Sequence, residues 1–221
     1  MAPVIIAIDG PAGSGKSSVS KQVAREKNFG YLDTGAAYRA LAWACLNLSG
    51  FSLNELESKD LTESFEYSIS IDPDNYWVKV GETDITQAIR DTQVAEFVSQ
   101  VARIPAVRSY MKALTHQIVA QSGRLGVIVE GRDITTVVAP EAPVRILLTA
   151  SEAVRLKRRS AELSESAAAS VVRQVTERDA SDSKVVDFMT PAPGVQLVDT
   201  SDLNFNQSVS AVIALIEQGA S

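Results

Sequence analysis

The chain carries a single cysteine, Cys45, so no internal disulfide can form, which suits a reducing compartment. Cys45 lies in the apolar stretch Leu41-Ala-Trp-Ala-Cys-Leu46 and is expected to be a small buried hydrophobe. No apolar run approaches the ~18–20 residues that a membrane span needs. The first residues run straight into a strand-like segment without the charged start and cleavage site of a signal peptide, so a cytoplasmic, soluble protein is expected. Cys/His spacings that would hold a metal are missing, as are a hydrolase nucleophile motif and an Asn-Lys-x-Asp guanine-reading segment. Cations are in the minority, 21 Lys and Arg against 27 Asp and Glu, and the net charge of −6 argues against a general nucleic-acid binder. No internal repeat, low-complexity tract or long flexible linker interrupts the chain.

What is present is an ordinary globular composition, 45% apolar over 221 residues, enough for one α/β domain with a small insertion. Val4-Ile-Ile-Ala-Ile-Asp9 is continuously apolar rather than alternating, as in a parallel strand buried on both faces. Residues 15–27 read as a helix, 31–33 as a short strand and 36–48 as a second helix. The segments 67–71 and 77–80 alternate with period two around the turn signal Asp72-Pro-Asp-Asn75, which points to a half-exposed antiparallel hairpin. An inserted subdomain is therefore expected over residues 63–102, with a helix at 92–102. Pro105 opens a long helix whose apolar stripe is Val107, Met111, Leu114 and Ile118. Residues 125–129 and 144–149 are further buried strands, 151–163 and 167–179 helices, 196–199 a last strand, and 206–217 a closing amphipathic helix. Strands alternating with helices indicate an α/β fold with a parallel sheet.

Gly10-Pro-Ala-Gly-Ser-Gly-Lys-Ser17 matches G-x-x-x-x-G-K-[ST] without a mismatch and sits between a buried strand and a helix, the context that gives the motif meaning. Gly10, Pro11, Ala12, Gly13, Ser14, Gly15, Lys16, Ser17 and Ser18 are the expected ATP-binding residues. Backbone N–H groups and the helix N-terminus face the anion, Lys16 reaches the β- and γ-phosphates, and Ser17 offers its hydroxyl to Mg²⁺. A turn built for steric reasons alone does not explain the Lys16–Ser17 pair. The motif indicates triphosphate binding, and kinases, motors and switches all use it.

Several arginines lie where further phosphates would be. Leu32-Asp-Thr-Gly-Ala-Ala-Tyr-Arg39 follows the second strand, so Arg39 either holds an acceptor phosphate, with Thr34 and Tyr38 shaping its pocket, or is solvated surface. Val129-Glu-Gly-Arg-Asp133 ends another buried strand, as a functional group or as a structural ion pair. Arg155, Arg158 and Arg159 share one helix face, either to close over a triphosphate or as a solvated basic stripe. Arg178 and Asp182 are spaced as a surface pair, and His116 faces away from its helix's apolar stripe, with no role.

The ordered set Ile8–Lys16, Leu32–Arg39, Ile89-Arg90, Ser99–Ala102 with Pro105 and Val107-Arg108, Gly131–Asp133, Arg158-Arg159, Arg178-Asp179 and Asp182-Ser183 resembles the bacterial cytidylate kinases over nearly the full length. The resemblance implies a nucleoside monophosphate kinase: a P-loop parallel five-stranded sheet flanked by helices, a small inserted antiparallel NMP-binding subdomain, and a short lid at 155–182. It implies transfer of the γ-phosphoryl group of ATP to CMP or dCMP, with Mg²⁺, by a monomer needing neither nucleic acid nor membrane. Matched by position, Ser99, Arg108 and Asp133 would read cytosine, Arg39 and Arg132 would hold the acceptor phosphate, and Arg178 and Asp182 would contact the ribose or its phosphate. Arg158 and Arg159 would belong to the lid, and Lys16, Arg132, Arg158 and Arg159 would carry catalysis. The chain departs from the family pattern at Glu130, where many members have Asp, at Thr34 in place of serine, and at Val185, with Lys184 beside it, where most carry arginine. The competing readings are a kinase for another monophosphate or a small hydroxyl metabolite, and a nucleotide-dependent switch with no second substrate.

Overall fold

The computed structural model describes residues 2–161 and 188–219. The chain divides into two compact units, Met1–Tyr31 with Arg124–Ser221, and Leu32–Gly123.

The first unit is built on a parallel sheet. Its strands are β1 (Val4–Asp9), β2 (Gly30–Asp33, of which Gly30 and Tyr31 belong here), β6 (Gly126–Gly131), β7 (Val144–Thr149) and β8 (Gln196–Asp199). The order is β2-β6-β1-β7-β8, so the strands flanking central β1 are both late in the chain and the crossovers diverge to either side of it. That is the switch point at which open α/β sheets form a ligand crevice outside the strands' carboxyl ends. Ile6, Ala7, Ile8, Val127, Ile128, Val129, Ile146 and Leu148 are all buried, as continuous apolar runs in a sheet covered on both faces require. Register sets the chemistry: Asp9 pairs with Gly131 on one side and Leu147 on the other, so the residues after β1 and β6 emerge side by side.

Helix α1 (Lys16–Lys27) and the closing helix α8 (Phe205–Gly219) pack together, burying Val19, Val23 and Ala24 on the first and Val209, Val212 and Ile216 on the second. Arg25 and Lys27 face the carboxyl pole of α1, which ends at Asn28 in the left-handed region (φ 53°). A π-type turn spans Ile134–Val138, and α7 covers Glu152–Ala161. The expected helix at 167–179 lies outside the described residues.

The second unit contains α2 (Thr34–Asn47), two single-turn helices, α3 (Leu53–Leu56) and α4 (Leu61–Ser64), then β3 (Tyr67–Ile69), β4 (Val78–Val80), β5 (Thr83–Asp84), α5 (Thr92–Val101) and α6 (Pro105–Ala120). The expected hairpin is present, with Tyr67 opposite Val80 and Ile69 opposite Val78. It gains a third strand, β5, which two exposed polar residues could not announce by alternation. Ala36, Ala40 and Ala44 give α2 a flat face that packs against α5, in one core with Leu41, Ile89, Val101, Val107 and Met111.

One expectation is extended and one corrected. The α6 stripe holds at Val107 and Met111, with half-buried Leu114 packed against the same core, and it also takes in buried Thr115 and Val119 beside half-buried Ile118. Thr115 tolerates burial because its hydroxyl donates to the Met111 carbonyl at 2.8 Å. Cys45 is half-buried rather than buried, at the edge of the α2 packing face, and desolvation pushes its thiol up to about 11. Among the described residues, no helix is long and apolar enough to cross a membrane.

Candidate functional site

The phosphate loop leaves β1 at Gly10 and enters α1 at Lys16. Gly10 has no alternative, because a Cβ there would collide with the Leu148 carbonyl oxygen. Gly13 has φ +76°, and a Cβ would stand 2.6 Å from the Arg155 carbonyl oxygen. Gly15 is the N-cap of α1 and provides no side-chain cap, and the first turn carries no acid. A helix N-terminus of that kind suits an anion.

The loop's carbonyls are held at alternate residues. Arg132 Nη1 donates to Gly10 O, Arg155 Nη1 to Ala12 O at 3.0 Å, and Arg158 Nη1 to Ser14 O at 3.1 Å. Arg158 also donates to Thr200, through Nη1 to Oγ1 at 2.9 Å and through Nη2 to the carbonyl at 2.8 Å. Pinning three carbonyls orients the intervening peptide planes and keeps acceptor oxygens away from a bound anion, the condition for a backbone nest. The basic face of α7 therefore grips the loop's backbone. Arg155 is only 6% exposed, which rules out the solvated stripe for this residue.

Glu130 is next to last in β6 and lies inside the sheet, 2% exposed. Its Oε1 accepts from Ser17 Oγ at 2.6 Å and from the buried Tyr31 hydroxyl at 2.7 Å. Asp9, also 2% exposed, accepts from Ile134 N–H at 2.9 Å, Thr135 N–H at 2.8 Å and Thr135 Oγ1 at 2.6 Å. Burial raises the Asp9 pKa, against the lowering effect of these three bonds. Arg132 and Asp133 sit between these anchors, and the Arg132 guanidinium lies 4.5 Å over the Phe188 ring. Lys16 is half-buried at the first position of α1, and Ser18 is exposed beside Ser17.

In the second unit, Thr34 is buried at the start of α2, and Tyr38 and Arg39 are half-buried on the same helix. Arg39 Nη2 pairs with Asp33 Oδ2 at 2.7 Å, so Arg39 is not bare solvated surface. Ser99 lies on α5, its hydroxyl 3.4 Å from Glu96 O, and half-buried Arg108 lies in the first turn of α6. Arg178, Asp182, Lys184, Val185 and the side chain of Arg159 lie outside the described residues.

A family model described as cytidylate kinase matches residues 6–218. The chain belongs to the cytidylate kinase family. A cytidylate kinase from Cutibacterium acnes is 43% identical over 216 residues, 97% of this chain and 96% of that one. One from Mycobacterium leprae is 39% identical over 99% of this chain and 97% of its own length. Among solved structures, an uncharacterized protein from Eubacterium ventriosum superposes with a TM-score of 0.50 at 12% identity, over 97% of this chain and 98% of that one, a likeness of fold alone. Within this cytidylate kinase family fold, sequence reasoning passed over Asp9, Tyr31, Phe188 and Thr200. The signal available for Asp9 and Thr200 is position alone, a polar residue at or just past the end of a core strand. For Tyr31 and Phe188 there is none, because both act through partners distant in sequence.

Proposed function

We infer that this protein is an ATP-dependent cytidylate kinase, which transfers the γ-phosphoryl group of ATP to CMP or dCMP and releases ADP with CDP or dCDP. The observation that carries this is the family match across residues 6–218, which takes in the phosphate loop and the Gly131-Arg-Asp133 segment together. An acceptor phosphate oxygen forms the new bond to the γ-phosphorus as the bond to the β,γ-bridging oxygen breaks, and ADP leaves with that electron pair. Such a transfer calls chiefly for positioning and charge neutralisation.

Lys16 is proposed to follow the γ-phosphoryl group, with Gly10–Ser18 cradling the donor phosphates. Arg132 and Arg39 are proposed to bind the acceptor phosphate, and Ser99, Arg108 and Asp133 to read cytosine. Asp133 would accept from the exocyclic amine, a bond that uracil cannot offer. Thr34, Tyr38, Arg178 and Asp182 complete the proposed acceptor residues, and Arg158 and Arg159 the proposed catalytic cations, together with a lid at 155–182 and a subdomain at 63–102. The grip of Arg158 on Ser14 O and Thr200 supports a role at the donor loop.

Mg²⁺ is proposed as the companion of ATP, where it would neutralise charge on the β- and γ-phosphates. The residues fit it. Ser17 directs its hydroxyl proton to Glu130, so the oxygen's electron pairs are turned elsewhere, and both groups are hard oxygen donors. The enzyme is proposed to act as a monomer in the cytoplasm, in keeping with its lone cysteine, and the net charge of −6 suits nucleotide substrates without a nucleic-acid partner.

The test is ADP release from Mg·ATP with CMP, dCMP, UMP, AMP, GMP or shikimate as acceptor. Strong stimulation by CMP and dCMP alone is expected. Stimulation by none would leave the triphosphate site standing and bring the switch reading forward.

A further inference from the structure

Asp33 serves two groups at once. Its Oδ1 caps α2 by accepting from Ala36 N–H at 3.2 Å, and its Oδ2 accepts from Arg39 Nη2 at 2.7 Å. The Tyr76 hydroxyl lies 3.5 Å from the same Oδ2. Arg39 is six residues past Asp33, nearly two turns, so its side chain runs back along the helix to bring the guanidinium over the first turn. The place it occupies there belongs to Gly35. A Cβ on Gly35 would stand 2.9 Å from Arg39 Nη1 and 3.1 Å from Asp33 Oδ1.

Glycine is not needed at this position for its backbone. Gly35 is absent from the positive-φ glycines and lies within an ordinary helical turn. Alanine would serve the helix at least as well, since glycine has the lower helix propensity. What glycine provides is room. The Arg39 and Asp33 side chains are 16% and 18% exposed, so the cation is wrapped on most sides before any ligand arrives.

We propose that Gly35 is a positioning residue: its missing side chain is the seat of the Arg39 guanidinium, which Asp33 clamps in the direction needed for an acceptor phosphate. This rests on the reading that Arg39 binds that phosphate. A guanidinium recognises phosphate through a planar fork, so direction matters more than for a lysine. A fork already held in place also loses less freedom on binding.

The experiment compares Gly35→Ala, Arg39→Ala and the double variant by steady-state kinetics with CMP and ATP varied separately, alongside thermal melting. Gly35→Ala is compatible with the fold, because alanine favours the helix and the two atoms in its way, Arg39 Nη1 and Asp33 Oδ1, are the ends of side chains that can give. Its KM for CMP is expected to rise about tenfold, the scale of one charge-assisted hydrogen bond. Its KM for ATP should stay unchanged and its Tm should be equal or higher. In the Arg39→Ala background the same substitution should add nothing further to KM for CMP. A KM within twofold of the parent, or an increase that persists without Arg39, overturns the seat while leaving the phosphate role of Arg39 intact. An unchanged KM for CMP in Arg39→Ala alone overturns the acceptor role of Arg39, and the seat with it.

Discussion

Gly13→Ala and Gly123→Ala make a matched pair. Both glycines are left-handed, with φ +76° and +65°, so each substitution incurs about the same backbone penalty of roughly 1–2 kcal/mol. Their surroundings differ. A Cβ at Gly123 meets nothing within 4 Å, whereas one at Gly13 stands 2.6 Å from the backbone oxygen of Arg155, which cannot rotate away. Overpacking of that kind adds about 1–3 kcal/mol. The loop relieves it by opening, so the penalty falls on nucleotide binding. A total near 3 kcal/mol corresponds to roughly a hundredfold weaker ATP affinity. Gly123→Ala should lower Tm by only a few degrees, at about 2–4 °C per kcal/mol for a chain of this size, with ATP affinity unchanged. Calorimetric titration with Mg·ATP and thermal scanning measure both quantities. Gly13→Ala binding ATP within threefold of the parent, or Gly123→Ala weakening ATP as much, would refute the argument that the α7 backbone shapes the loop.

Lys16→Ala should abolish phosphoryl transfer and leave Tm nearly unchanged; near-normal turnover would remove Lys16 from the chemistry. Asp133→Ala should weaken CMP more than UMP in competition assays, and equal losses would take Asp133 out of base reading. Cys45 should react slowly with iodoacetamide at pH 8, its labelling rate rising toward a midpoint near 11. The folded state holds that proton more tightly than the unfolded chain, so this thiol's contribution to stability should fall as pH rises from 9.0 toward 11. A native labelling midpoint close to 9 would contradict the burial.

Legibility in the sequence followed the range of the physics. The phosphate loop, its strand and its helix could be read because residues 4–27 carry their own reasons: β-branched residues, glycines at fixed intervals, then a lysine and a serine at the helix start. The β3–β4 hairpin could be read from alternation and a turn, while β5, two polar residues long, carries no pattern. Thr115 could not be read into the buried stripe of α6, because hydropathy takes no account of a threonine that satisfies its own hydroxyl in the preceding turn.

Local pattern determined that this chain holds a triphosphate loop on a parallel sheet, since turn chemistry and apolar runs act within a few residues. Only the tertiary structure decided what steadies that loop. The register of β1 against β6 brings Arg132 to Gly10, α7 delivers Arg155 and Arg158 to Ala12 and Ser14, and β8 ends so that Thr200 meets Arg158. Glu130 likewise meets Ser17 and Tyr31 across 113 and 99 residues of chain. Hydrogen bonds across such separations depend on strand order and register, which no stretch of sequence encodes on its own.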